Sequence, residues 1–179
     1  MSFKQQYKEE MASKLQKDLD IKNPHLVPKV EKIVLNMGIG SFIRQGNKDF
    51  SGLEKELALI AGQKPVVKYA KKSVSNFKLR AGMPVGLTVT LRGDRMYEFL
   101  EKMIKIVMPR IKDFRGFGKK SFDKQGNYNF GIKEHTIFPE VPQNDIVKVH
   151  GMQITVKTNV TDVEHNRALL KEFGFPFAK

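Results

Sequence analysis

Four apolar residues, Phe3, Tyr7, Met11 and Leu15, recur at every fourth position near the start of the chain, with Lys, Gln and Glu between them. A repeat near the helical period places them on one face of an amphipathic helix, which Asn23-Pro24 and Val27-Pro28 then end. Residues 29–37, KVEKIVLNM, alternate instead. Ile33, Leu35 and Met37 point one way and Lys32, Val34 and Asn36 the other, as in a strand with one apolar face. Gly38 and Gly40 open a loop. A second helix is expected from about Asn47 to Ala61, with Phe50, Leu53, Leu57 and Ile60 as its stripe and Gly62 as its C-terminal cap.

Residues 65–72, PVVKYAKK, read as a strand, and 73–84, SVSNFKLRAGMP, as a long loop from their Ser, Asn and Gly content. Residues 85–92 alternate cleanly: Val85, Leu87, Val89 and Leu91 against Gly86, Thr88, Thr90 and Arg92. Asp94 suits an N-cap for a third helix with the stripe Met96, Phe99, Leu100, Met103 and Val107, ended near Pro109. Residues 111–140 are irregular, with short extended pieces around the turn signal Gln125-Gly126-Asn127. Residues 148–160 form another strand. Thr161 and Glu164 have capping-box spacing for a last helix running to Phe173 and stopped by Gly174. This order predicts a single α+β domain over 1–179: an antiparallel sheet with helices packed on one face and the other face open, polar and basic. No internal repeat or low-complexity linker divides it.

Charge sharpens that picture. The chain has 32 Lys and Arg against 19 Asp and Glu, net +13, and no cysteine. Disulfides and thiolate metal sites are therefore excluded. Residues 1–63 carry a net +2 and residues 125–179 a net 0, whereas residues 64–124 carry +11. No acid occurs from Leu57 to Gly93, a span holding Lys64, Lys68, Lys71, Lys72, Lys78, Arg80 and Arg92. Such a block attracts polyanions, since each neutralised phosphate releases counterions. It lies on strands and a loop, not on a basic amphipathic helix, which argues against a membrane surface. With no run of 18 apolar residues and a charged start, the sequence predicts neither a spanning helix nor a secretory leader, and a cytoplasmic location is expected.

Catalytic and cofactor patterns fail one after another. Gly38-Ile39-Gly40 invites a dinucleotide reading, but the third glycine of G-x-G-x-x-G would fall on Ile43, and the following helix is expected several residues too late to hold a phosphate. His25, His135, His150 and His165 lack metal-ligand spacing, so no metal is expected and ordinary surface or partly buried histidines are the simpler reading. Glu9 and Glu10 are helix neighbours that point apart. Arg115-Gly116-Phe117-Gly118 with Phe122 resembles an RNP1 signature, but Lys119 and Lys120 stand where Phe and Val belong. A glycine-rich surface loop with its aromatics tucked inward is the plainer alternative. No cofactor, small-molecule substrate or catalysis is expected.

An RNA surface is the reading that remains. The non-core face of residues 85–92 carries Thr88, Thr90 and Arg92, and Asn36 and Lys32 join it if 29–37 pairs alongside. Gln63, Ser73, Ser75 and Asn76 add neutral donors and acceptors for phosphates, sugar hydroxyls and base edges. Phe77, between basic residues in the loop, is placed to stack on a base if exposed and is only a local anchor if tucked under.

At these residues the sequence resembles a known family. LALIAGQKPVVKYAKKS at 57–73 is similar to the signature of the ribosomal proteins that bind 5S ribosomal RNA in the large subunit, called L-five in bacteria. Further matches are IVLNMGIG at 33–40, SVSNFKLRAGMPVGLTVTLRG at 73–93, the long stretch 96–140 with its specific GNYNFGIKEH and FPE strings, and HGMQITVKTNV at 150–160. Lys68 is a departure, where Thr is common. The resemblance implies two family regions, 24–80 and 84–177, within one ribosome-bound protein. It implies that 5S RNA lies against Lys32, Asn36, Gln63, Lys64, Lys71, Lys72, Ser73, Thr88, Thr90 and Arg92. It also implies that the 73–84 loop, with Ser75, Asn76, Phe77, Lys78 and Arg80, projects toward transfer RNA in the P site, and that 110–145 approaches a small-subunit head protein. Large-subunit RNA and other 5S-binding proteins are the further implied partners.

Two other classes remain in contrast: a free, RRM-like regulator of RNA or DNA, and an enzyme holding a nucleotide at Gly38–Gly40. A regulator would wash off ribosomes in high salt, and a nucleotide enzyme would gain thermal stability from its ligand.

Overall fold

A computed structural model of the chain describes residues 2–47, 49–118, 120–142 and 148–178. The first helix runs over 3–18 as α1 (Phe3–Gln6), a π turn (Tyr7–Met11) and α2 (Ala12–Asp18). The π turn has a reason in the spacing. Apolar residues exactly four apart drift by about 40° per step on an α-helix. A wider turn takes up the extra residue and brings the stripe back into line. Phe3 and Leu15, at opposite ends, are both buried. Tyr7 is half-buried and donates its hydroxyl to the Pro28 carbonyl at 2.9 Å.

The chain continues through β1 (Val30–Gly38), α3 (Gly40–Arg44), α4 (Ser51–Ala61), β2 (Val66–Tyr69) and β3 (Pro84–Leu91). Next comes α5 (Gly93–Lys102), prolonged by a π turn (Met103–Val107) and a 3-10 turn (Met108–Arg110). Then follow β4 (Tyr128–Ile132), β5 (Met152–Thr158) and α6 (Val163–Glu172). The five strands form one antiparallel sheet in the order β2-β3-β1-β5-β4, so the fold is α+β, as the alternating patterns require. β2 is an edge strand paired with β3, Val66 opposite Thr88 and Val67 opposite Leu87, with a bulge at Lys68/Tyr69.

The chain divides into two compact units, Met1–Ile33 with Leu91–Phe130 and Thr155–Lys179, and Val34–Thr90 with Gly131–Ile154. In the first, Met96, Phe99, Leu100, Met103 and Val107 are all buried, as are Leu169, Leu170 and Phe173 of the last helix. An aromatic cluster fills the rest: Phe117 packs 4.6 Å from Phe130 and 5.4 Å from Phe175, and Tyr128 packs 4.7 Å from Phe122 between ring centroids. Gly126 adopts φ +77, and a Cβ there would lie 2.5 Å from the Asn166 amide nitrogen. That amide is fully buried and donates to the Gly126 and Val160 carbonyls at 3.0 and 2.7 Å. Only glycine fits a turn so closely capped.

In the second unit, Leu35, Met37, Leu53, Leu57, Ile60, Leu87 and Val89 are buried. So is a polar group. His135 Nε2 lies 2.8 Å from Glu56 Oε2, and the His150 backbone N–H donates to His135 Nδ1 at 3.1 Å. The pair ties α4 to the turn after β4. His135 is therefore no surface histidine, and the lone acid buried on the α4 stripe has its partner in the fold.

Several boundaries differ from the sequence reading. α4 starts at Ser51, not near Asn47; Asp49 accepts the Ser51 N–H at 2.9 Å, and Phe50 stays outside, half-buried. Asp94 lies in the first turn of α5, and Arg92 holds the N-cap position. Asp162 rather than Thr161 caps α6, accepting the Glu164 N–H at 2.8 Å, because an Asx side chain reaches that donor two residues on. The strands expected at 65–72 and 148–160 shorten to 66–69 and 152–158. Gly38–Gly40 ends a strand and begins a short helix rather than opening a loop.

Candidate nucleic-acid interface

On β3, Leu87, Val89 and Leu91 are buried while Thr88 and Thr90 between them are half-buried. On β1, Asn36 is exposed between the buried Leu35 and Met37. Thr88 donates its hydroxyl to Asn36 Oδ1 at 3.2 Å, so these two predicted residues meet on adjacent strands. Gly86 explains how. A Cβ on it would stand 3.4 Å from the Met37 carbonyl and 3.7 Å from Asn36 Oδ1, so glycine leaves the asparagine its room. Asn36 is exposed, and both threonines keep part of their surface in solvent.

The cations around them are largely unneutralised. Lys64 approaches Glu54 only to 3.9 Å and is 87% exposed, a contact that water screens. Lys71 and Lys72 are exposed and, among the described residues, have no carboxylate partner, and the same is true of Lys68, Lys78 and Arg80. Gln63 is half-buried beside Gly62, whose left-handed φ of +63 turns the chain from α4 toward β2. Lys32, half-buried on β1, and Arg92, exposed just after β3, belong to the first compact unit; the other predicted RNA residues belong to the second.

The 73–84 loop has a definite shape. Val74 and Leu79 exchange backbone hydrogen bonds of 2.9 and 3.1 Å around a 3-10 turn, Ser75–Phe77, and Lys78 closes it in the left-handed region at φ +51. Ser73 Oγ accepts the Ala81 N–H at 2.9 Å. Ser75, Asn76, Lys78 and Arg80 are exposed, and the Phe77 ring is 64% exposed at the tip, so it is not a local anchor.

The decoys resolve physically. Phe117 of the RNP1-like string is inside the aromatic cluster, and the string lies outside the sheet, joined to the C-terminal segment by a bridge between Phe117 and Phe177. That is not the central strand an RRM needs. The Lys119 of that string lies outside the described residues. At Gly38–Gly40, the expected late helix is corrected by α3, which starts at Gly40. Its first turn is closed against β3: the Ile39 N–H donates to the Val85 carbonyl at 3.0 Å. The described residues hold no cluster of three or more metal-ligating side chains and no helix long and apolar enough to cross a membrane. Of the 110–145 region, 119 and 143–145 lie outside the described residues. Lys112, Arg115, Lys120 and Lys124 of that region are exposed.

Sequence reasoning missed Arg44 and His135. Arg44 sits on a helix of five residues with one buried apolar position, too short for a period to register. The Glu56–His135 contact spans 79 positions and leaves no local pattern.

The family models that match are those of "Ribosomal protein L5", over residues 23–80, and of the C-terminus of the same ribosomal family, over residues 84–177. Among curated relatives, the "Large ribosomal subunit protein uL5" of Thermosipho melanesiensis is 52% identical over 99% of this chain and 97% of its own length. The protein of that name from Prochlorococcus marinus is 50% identical over 100% and 99%. That from Leifsonia xyli is 52% identical over 98% and 89%.

Proposed function

Starting from a chain that belongs to the ribosomal protein L5 family, we propose that it is a structural constituent of the large ribosomal subunit, bound to ribosomal RNA and serving translation without catalysis. The observation that carries the RNA reading is the acid-free span 57–93 with its exposed lysines, next to a Thr88–Asn36 pair left outside the core. Cations steer and hold a phosphate backbone, while hydroxyl and amide groups on a rigid sheet select its shape and 2′-hydroxyls.

In this reading the RNA is 5S ribosomal RNA, held by Asn36, Gln63, Lys64, Lys71, Lys72, Ser73, Thr88 and Thr90, with Lys32 and Arg92 as further contacts. Residues 73–84 reach transfer RNA in the P site, with the Phe77 ring stacking on a base. Region 110–145 meets a protein of the small-subunit head. Other 5S-binding proteins and large-subunit RNA complete the surroundings, and the assembly is cytoplasmic. Sedimentation tests the assignment. About one copy per large subunit should survive a high-salt wash; release of the chain into the supernatant would favour a free RNA-binding regulator instead.

A further inference from the structure

The tip of the 73–84 loop has no core of its own. Every residue from Lys71 to Lys78 is exposed, so burial does not fix its conformation. Yet Phe77 and Lys78 hold a specific geometry, with a non-glycine residue in the left-handed region directly after the exposed ring. Such a residue persists only where its surroundings over-determine it.

Among the described residues, a side-chain hydrogen bond from outside the loop reaches this point. Arg44, the last residue of α3, donates from Nη1 to the Phe77 carbonyl at 3.3 Å and from Nε to the Gly40 carbonyl of its own helix, also at 3.3 Å. The second bond holds the guanidinium plane while the first grips the loop. α3 is itself firmly seated. Phe42 is buried, the Ile39 N–H is bonded to Val85 at the root of β3, and Lys148 donates to Gln45 Oε1 at 2.7 Å just beyond the helix. Between helix and loop lies a cleft of about 340 Å³ lined by Ser41, Arg44, Gln45, Asn76, Phe77 and Lys78, with no carboxylate.

We propose that Arg44 is a positioning residue for the loop: by clamping the Phe77 carbonyl to α3, it sets how the Phe77 ring and the Lys78 ammonium are presented to RNA. The inference about function rests on the reading of this loop as a transfer-RNA contact, whereas the clamp itself does not. A lysine keeps the charge but gathers its donors on one ammonium at the end of a flexible stem, so it lacks the separate Nε and Nη1 donors that hold a rigid plane between the two carbonyls.

Hydrogen exchange on the full-length protein tests the clamp. In Arg44→Lys and Arg44→Ala, amides of the 74–81 segment should exchange roughly tenfold faster, while those of α4 and β3 keep their rates and the urea midpoint is unchanged. Unaltered exchange at 74–81 in both variants would overturn the proposal. So would acceleration spread evenly over the whole second unit, which is what simple destabilisation produces. Ribosomes carrying Arg44→Lys then separate the two layers. Weaker P-site transfer-RNA retention with normal 5S RNA binding supports both the clamp and the loop's role. Faster exchange with normal retention keeps the clamp and removes the transfer-RNA reading.

Discussion

Thr90 and Arg92 carry the proposal at the scale of single residues. Each replaced by Ala should weaken 5S RNA binding by about 1–3 kcal/mol per direct contact, measured by filter binding; wild-type affinity in both would reject this face. Thr88 is less simple, because its hydroxyl already serves Asn36, so its loss frees an acceptor that RNA donors can then reach. Stability has its own residue-scale handle. Burial holds the His150 imidazole below the usual histidine range, with His135 and Lys148 nearby adding to the effect. The unfolded chain takes up this proton near pH ~6.5, the folded chain only at lower pH. The stabilisation is therefore present above about pH 6.5 and lost as pH falls through that value toward the lower folded one. His150→Gln should flatten this part of the decline, read as urea midpoints between about pH 7.5 and 5.5. An unchanged pH slope would contradict the assignment.

Elements show where the sequence is readable and where it is not. β1 and β3 were legible because two-residue alternation over eight or nine positions has one solution, and the same alternation put Asn36, Thr88 and Thr90 outside the core. Phe77 could be assigned to a loop but not to its exposed tip, since exposure depends on a 3-10 turn that only three residues encode. α3 was invisible for the same reason: its two ends rest on Val85 and Phe77, about forty residues away. Helix starts slipped by one or two residues at α5 and α6 and by about four at α4, because Asp, Thr and Asn compete for the same backbone donors. The loop carries a prediction at this scale. The double replacement Phe77→Ala, Arg80→Ala should spare 5S binding and reduce P-site transfer-RNA retention on purified ribosomes. Equal loss of both would contradict a division of labour between sheet and loop.

Across the whole molecule the charge is not a uniform coat. Nearly all of the net +13 falls in 64–124, while the remaining two thirds of the sequence are close to balanced. Affinity governed by such a block falls steeply with salt, by roughly a hundredfold or more between about 50 and 200 mM if several phosphates are engaged. A flat salt dependence would point to base or protein contacts instead. Family membership sets the ribosomal context, but it does not say which surface meets which RNA. The most direct measurement is ultraviolet crosslinking of this protein in living cells, with the bound RNA sequenced and the crosslinked peptides identified. 5S ribosomal RNA should be joined to peptides from 63–92 and around Asn36. Crosslinks confined to other surfaces, or an RNA population without 5S enrichment, would contradict it.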